Sequence, residues 1–354
     1  MLTLEKFEEA SEIVKRVTRP TKLIYSEYLS SQTGGKVYLK PEQWDNKKLI
    51  VKNHPNADAL NRLIYEFVAT IEKKELELYI HIPFCVRKCN YCDFLSFPAD
   101  EDTQRQYVKA LCKEISYYGA HCRDYVVSTV YIGGGTPSWL WESDMAEIMD
   151  AVHKNFALLP DAEVSVECNP GTVTAQKFAV YRQSGINRIS LGLQSAQNVE
   201  LKMLGRIHTW EQFLKTYELA RSGGFSNINV DLMSSLPGQH IETYADSLQK
   251  VCRLKPEHIS AYSLIIEKGT PFYDLYKFDA VKQRAGMVTD ALPTEDEVYE
   301  MTKLTEEMLK ENGYVHYEVS NFAQPGYARP CRTYPAVSSI LPTGAAGVGC
   351  LGVV

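Results

Sequence analysis

Between residues 76 and 267 short β-branched runs alternate with longer amphipathic ones, and few folds accept that pattern. The alternation predicts strands over 77–82, 126–132, 163–168, 188–193, 227–232 and 258–264, and helices over 103–118, 143–156, 175–184, 211–221 and 241–254. Six strands joined by helical crossovers make a parallel sheet with its helices outside. Right-handed crossovers that curl without reversing bend such a sheet into a barrel or part of one. The expected fold class is therefore α/β, a partial (β/α)6 TIM-like barrel, in which chemistry gathers at the carboxyl ends of the strands. Each unusual residue group stands just past a strand: a cysteine cluster, Gly133-Gly-Gly-Thr-Pro137, Glu167, Gln194 and Asp231. That coincidence predicts one shared site.

The cysteines lie in Tyr79-Ile-His-Ile-Pro-Phe-Cys-Val-Arg-Lys-Cys-Asn-Tyr-Cys-Asp-Phe94. Cys85, Cys89 and Cys92 are separated by three and then two residues, so three thiolates can converge from one loop. Three thiolates can hold three irons of a [4Fe-4S] cluster and leave the fourth iron open to a non-protein ligand. A zinc knuckle is the alternative, but zinc takes four ligands in paired short spacings, and no fourth Cys or His stands nearby at such a spacing. A disulfide framework does not suit a chain without a secretory signal. Cys112, Cys122, Cys168 and Cys252 lack metal-like spacing and are expected to be inert thiols.

Composition adds exclusions. The 354 residues are 45% hydrophobic and 23% charged, which suits an ordinary globular chain. A formal net charge of −6 gives no electrostatic reason to expect nucleic acid as a partner. No apolar run reaches the length of a membrane span, and the N-terminus lacks the order of a signal peptide. Nine cysteines, an odd number, together with a cluster motif point to a reducing, cytoplasmic setting.

Successive glycines let backbone approach a ligand closely and expose its N–H and C=O groups. Alone, such a run reads as a tight turn; one strand after the cysteines it becomes a candidate loop for the ammonium of a cofactor. One strand-end carboxylate reads most simply as a helix cap. Glu167, Gln194 and Asp231 in series around a barrel mouth read better as polar ligands. Arg206, in Met-Leu-Gly-Arg-Ile-His, could supply a cation for a carboxylate; its alternative is a solvated helix-end arginine. Tyr79 is expected to pack beneath the cofactor, and Tyr91, between two cluster ligands, to cover the cluster or touch adenine.

These motifs resemble the radical S-adenosylmethionine (SAM) branch that contains oxygen-independent coproporphyrinogen III oxidase and the HemW-type heme chaperones. The likeness runs from about Leu76 to about Tyr327 and rests on His81-Ile-Pro-Phe-Cys85, the glycine loop, Leu191-Gly-Leu-Gln-Ser and Asp231-Leu-Met-Ser-Ser-Leu-Pro-Gly. The resemblance implies a radical SAM barrel, cluster ligation by Cys85, Cys89 and Cys92, and SAM chelating the open iron. It places SAM contacts at Tyr79, Tyr91, Gly134, Gly135, Thr136, Glu167, Gln194, Arg206 and Asp231. The oxidases follow their third cluster cysteine with a Gly-Cys or similar pair, whereas Cys92 is followed by Asp93-Phe94. That favours the chaperone branch, with heme as cargo, a heme-accepting apoprotein and an electron donor for the cluster as partners; porphyrin oxidation is the alternative.

Both ends depart from this pattern. Residues 1–42, with Gly35-Lys-Val-Tyr-Leu-Lys-Pro-Glu42, resemble the opening of a pyridoxal-phosphate-dependent threonine ammonia-lyase but stop before its Schiff-base lysine. HemW-type chains continue with a His-Asn-x-x-Tyr-Trp segment and a small helical domain, where this chain reads Arg329-Pro-Cys-Arg-Thr-Tyr334. The expected organisation is an N-terminal extension over 1–75, a radical SAM core over 76–270, a partial C-terminal domain over 271–328, and an aberrant, disordered tail over 329–354. The C-terminal region is thus expected to be truncated, and the two ends to be a fused or misread start and a frameshifted finish.

Overall fold

The computed structural model describes residues 24–26, 37–39, 74–289, 291–328 and 351–353. The chain divides into two units, Met1–Glu72 and Lys73–Val354. In the first, β1 (Ile24–Ser26) pairs antiparallel with β2 (Val37–Leu39), Tyr25 opposite Tyr38. The rest of the expected ammonia-lyase-like segment lies outside the described residues.

The second unit carries the predicted barrel. Its strands β3 (Lys74–Ile82), β4 (Tyr125–Gly134), β5 (Leu158–Cys168), β6 (Arg188–Gln194), β7 (Ile228–Ser234) and β8 (His258–Ser263) run parallel in sequence order, a half-barrel without reversal. Among the described residues, the crossovers are α1 (Glu101–His121), α2 (Glu142–Asn155), α3 (Ala175–Gln183), α4 (Asn198–Met203), α5 (Trp210–Ser222) and α6 (Ile241–Leu254). Then α7 (Pro271–Arg284) and α8 (Glu295–Glu311) lead into β9 (Val315–Glu318) and β10 (Asn321–Ala323). β10 pairs antiparallel with β8 and β9 pairs outside it, so residues 271–328 continue the same sheet. On the other edge, the backbone of β11 (Leu351–Val353) pairs antiparallel with Leu78–Ile80 of β3. A strand was not expected of that tail, whose sequence has no alternation; an open edge of unpaired N–H and C=O groups can accept any extended segment.

Helix starts follow local chemistry. The Asp100 carboxylate accepts the Thr103 N–H at 2.8 Å and opens α1, which buries Tyr107, Val108, Leu111 and Ile115. Thr209–Gln212 and Thr294–Glu297 form reciprocal capping boxes at α5 and α8.

Strand alternation decides where the core sits. Leu78, Ile80 and Ile82 of β3, Ile189, Leu191 and Leu193 of β6, and Ile228, Val230 and Leu232 of β7 are all buried in one apolar cluster with the helices. Successive strand side chains point to opposite faces, so the intervening residues face the lumen. Those include Tyr79, His81, Tyr131, Ser165, Glu167, Arg188, Ser190, Asn229, Asp231, His258 and Ser260. An ordinary TIM barrel fills this space with branched aliphatic side chains; here it is polar, and it opens upward into a cavity. Among the described residues no helix is long and apolar enough to cross a membrane.

Candidate functional site

The loop after β3 is held before any ligand is considered. The Cys85 N–H donates to the Phe97 carbonyl at 3.2 Å and the Phe97 N–H to that of Pro83 at 2.9 Å, closing the loop on itself. Asn90, between two of the cysteines, anchors its far side. Its N–H donates to the Leu204 carbonyl (3.0 Å), its side-chain amide to that of Met203 (2.8 Å), and its own carbonyl accepts the Phe272 N–H (2.9 Å). Arg87 donates to the Gly205 carbonyl at 2.8 Å. With the backbone tied down on both sides, Cys85, Cys89 and Cys92 face one cavity of about 620 Å³, within the range of small-molecule sites. All three are unbonded thiols. Burial raises the Cys85 and Cys92 pKa, so without a cation these sulfurs hold their protons. Among the described residues no three His, Cys, Asp or Glu side chains are placed to share one metal ion. A zinc ion needs its ligands about 2.3 Å from one centre; a four-iron cluster takes one thiolate per iron.

The same cavity is lined by Tyr91, Gly134, Gly135, Thr136, Glu167, Gln194, Arg206 and Asp231. Eight of the nine residues singled out as SAM contacts therefore converge with the cysteines. Tyr79 does not line it. Its hydroxyl is 3.0 Å from Nδ1 of His81, whose Nε2 lies 2.9 Å from the Leu95 carbonyl. A carbonyl can only accept, so Nε2 carries the hydrogen and Nδ1 accepts from Tyr79. Tyr79 also stacks on Tyr131, with ring centroids 6.1 Å apart. It thus braces the cysteine loop from below.

The glycine loop, besides lining the cavity, has a packing role that the sequence reading did not give. A Cβ on Gly134, at φ +118°, would lie 2.6 Å from the His81 ring, and one on Gly135 would lie 2.6 Å from the Phe84 carbonyl oxygen. The loop is glycine because it must press against the cysteine-bearing strand. Its N–H groups are used within the protein: Gly134 donates to Glu167 Oε2 (3.1 Å), Gly135 to the Ile82 carbonyl (2.8 Å) and Thr136 to the Phe84 carbonyl (2.7 Å).

Glu167 also accepts the Tyr131 hydroxyl at 2.8 Å. Burial, aided by the nearby Asp231 charge, outweighs these bonds and raises its pKa to about 7. Asp231 is likewise raised, chiefly by burial. Gln194 adopts φ +76°, uncommon for a non-glycine residue, and its Oε1 accepts the Tyr262 hydroxyl at 2.9 Å. Arg206 reaches in from the turn after α4. Its terminal nitrogens donate to Cys89 Sγ (3.6 Å) and the Gly192 carbonyl (2.6 Å), with Asn169 Oδ1 a further acceptor, while its buried Nε has no partner among the described residues. It is not a solvated helix-end residue.

Sequence reading missed Asn169, which bridges Arg206 and Thr136 and lines the cavity. Its place directly before Pro170 makes it look like a turn residue. It also missed Asn90 and Tyr262, for which no spacing signal exists.

A parallel half-barrel with three cysteines at its mouth and a polar lumen is the architecture of a radical SAM protein. Residues 79–251 match the model of the Radical SAM superfamily, which identifies them as a domain of that superfamily. Within it the chain is similar to the heme chaperone HemW of Escherichia coli K12, 38% identical over 253 residues, covering 71% of this chain and 64% of that protein. HemW of Lactococcus lactis is 37% identical over 255 residues, covering 72% of this chain and 64% of that protein. The chain thus spans less than two thirds of the length of these relatives. Coproporphyrinogen III oxidase (HemN) from E. coli, a radical SAM enzyme, superposes with a TM-score of 0.63 at 27% identity, over 75% of this chain and 59% of that one. Residues 27–81 match a different model, the Arm DNA-binding domain, overlapping the segment that resembles an ammonia-lyase.

Proposed function

We propose that this chain is the radical SAM core of a HemW-type heme chaperone, binding heme and passing it to an acceptor protein in the cytoplasm, with a separate electron donor for its cluster. The carrying observation is the 38% identity to a HemW over 253 residues, joined to Asp93-Phe94 after the third cysteine, where the oxidases place a further cysteine.

The residues fit the two cofactors that radical SAM proteins use, a [4Fe-4S] cluster and SAM. Cys85, Cys89 and Cys92 would hold the cluster on a loop fixed at Asn90. The N–H groups of Gly134, Gly135 and Thr136 are already spent, so a ligand's contact with this backbone would have to be to carbonyl oxygen, the complement of an ammonium. The unpartnered Nε of Arg206 is a buried donor that a carboxylate would satisfy. Glu167, Gln194 and Asp231 supply acceptors for hydroxyl and ammonium hydrogens. When both are bound, the cluster supplies the electron that cleaves the SAM sulfonium; the protein orients the two and keeps the lumen polar.

Coproporphyrinogen oxidation is the second reading, favoured by the superposition on HemN. Anaerobic incubation with coproporphyrinogen III, SAM and a reductant separates the two. The chaperone reading expects no protoporphyrinogen, and expects heme titrated onto the protein to move to an apo-cytochrome. Protoporphyrinogen formation would overturn it.

A further inference from the structure

At the floor of the cavity, around Ser190, Asp231 and Ser260, the lumen holds a network of polar side chains whose hydrogen bonds can be given a direction. Asp231 Oδ1 is 2.7 Å from Asn229 Nδ2, and Oδ2 is 3.4 Å from Ser190 Oγ. An ionised carboxylate only accepts, so the Asn229 amide nitrogen must face it; that nitrogen also donates to Ser190 Oγ at 2.8 Å. The amide oxygen then points the other way, toward His258 Nδ1 at 2.5 Å and Ser260 Oγ at 3.2 Å. An amide oxygen accepts, so Nδ1 of His258 carries the hydrogen and Nε2 is left as an acceptor. The Tyr317 hydroxyl, 2.6 Å away, donates to it. One carboxylate thereby fixes every link: Tyr317 donates to His258, His258 to Asn229, and Asn229 to Asp231. Asn229 and His258 are 1% and 3% exposed, so the link between them is shielded from solvent. Burial, with the Arg188 charge adding to it, lowers the His258 pKa to about 2, so protonation does not scramble the chain at any working pH.

Tyr317 lies on β9, outside the parallel repeat, and meets the His258 ring edge-on at 5.6 Å between centroids. The hairpin is seated by β10, where Asn321 faces Ser260 in register and accepts from its hydroxyl at 2.9 Å. We infer that Tyr317, His258 and Asn229 are positioning residues that hold the Asp231 carboxylate in its SAM-binding orientation, so that the β9–β10 hairpin completes a cofactor site otherwise built on parallel strands. The inference rests on the reading of Asp231 as a SAM contact.

The test is a double-mutant cycle on the full chain, with SAM affinity read by equilibrium dialysis after anaerobic cluster reconstitution. Tyr317→Phe keeps the ring and removes only the donor. It is expected to leave iron content unchanged and weaken SAM binding about tenfold, the usual scale for orphaning a buried acceptor. In an Asp231→Asn background the same change should cost nothing further, because its effect passes through that carboxylate. Asn229→Ala cuts the last link, carries the same expectation, and decides the matter if Tyr317→Phe fails to hold its cluster. Additive losses, or unweakened binding in the single variants, would overturn the inference and leave a purely structural network. Asp231→Asn protein that binds SAM as well as the unmodified chain would instead overturn the site reading on which it rests.

Discussion

The guanidinium of Arg206 lies 3.6 Å from Sγ of Cys89, joining the turn after α4 to the loop after β3 across the mouth of the barrel. One guanidinium nitrogen donates to that sulfur while the other fixes the group to the Gly192 carbonyl, so the two loops are tied through one side chain.

Arg206→Met should therefore reduce both functions of the mouth. We expect SAM affinity to fall by about tenfold or more, since a charge-assisted hydrogen bond contributes roughly 1.5–3 kcal/mol. Cluster reconstitution should be slower. Arg206→Lys should recover little, because an ammonium cannot span Cys89, Gly192 and Asn169 as a planar fork does. Equilibrium dialysis and the time course of iron uptake measure the two effects.

Gly134→Ala and Gly135→Ala place a methyl 2.6 Å from the His81 ring and from the Phe84 carbonyl oxygen. Overpacking of this kind costs about 1–3 kcal/mol, and here the displaced atoms belong to the strand leading into the cysteines. Both variants should lose cluster occupancy as well as stability. Gly171→Ala is the control: its φ of +87° is unfavourable, yet among the described residues nothing lies within 4 Å of the added methyl. It should cost about 1–2 kcal/mol from backbone strain alone and keep its iron. Denaturant midpoints with iron analysis distinguish these outcomes.

Glu167 gives a pH dependence with a definite sign. Its pKa is raised by burial from 4.5 to about 7 in the folded protein, so folding favours the protonated form. Stability from this group is fully present below pH 4.5 and is lost as pH rises through 7, a change on the order of 2 kcal/mol once cavity solvent is allowed for. Glu167→Gln should flatten that slope in thermal melts between pH 5 and 8. SAM binding should run the other way in the unmodified chain. A bound ammonium or hydroxyl favours the carboxylate, so affinity should rise with pH up to about 7, and the variant should lack this rise.

Much of this arrangement was legible in the sequence because the barrel strands alternate strictly: Ile189, Leu191 and Leu193 face the helices while Ser190, Gly192 and Gln194 face the lumen. The six parallel strands and the convergence of their ends follow from that period. The β9–β10 hairpin was not legible. Its strands are four and three residues long, too short for a periodic signal, and the hairpin is placed by the pairing of β10 with β8, a contact more than fifty residues away in sequence. The bracing contact of Tyr79 was not legible for a related reason. The sequence puts it on a lumen-facing position, but only the fold shows that His81 stands between it and the cysteine loop. The glycines were read as bringing backbone close to a ligand; the fold adds that they also make room for His81 and Phe84.

The most direct test of the account is electron paramagnetic resonance of the full chain after anaerobic reconstitution and reduction, with and without SAM. The account predicts about four irons per chain and the signal of a reduced four-iron cluster that shifts when SAM is added. It further predicts that alanine at Cys85, Cys89 or Cys92 removes most of that signal while alanine at Cys112 or Cys168 does not. A signal indifferent to SAM, or one that depends equally on Cys168, would contradict it.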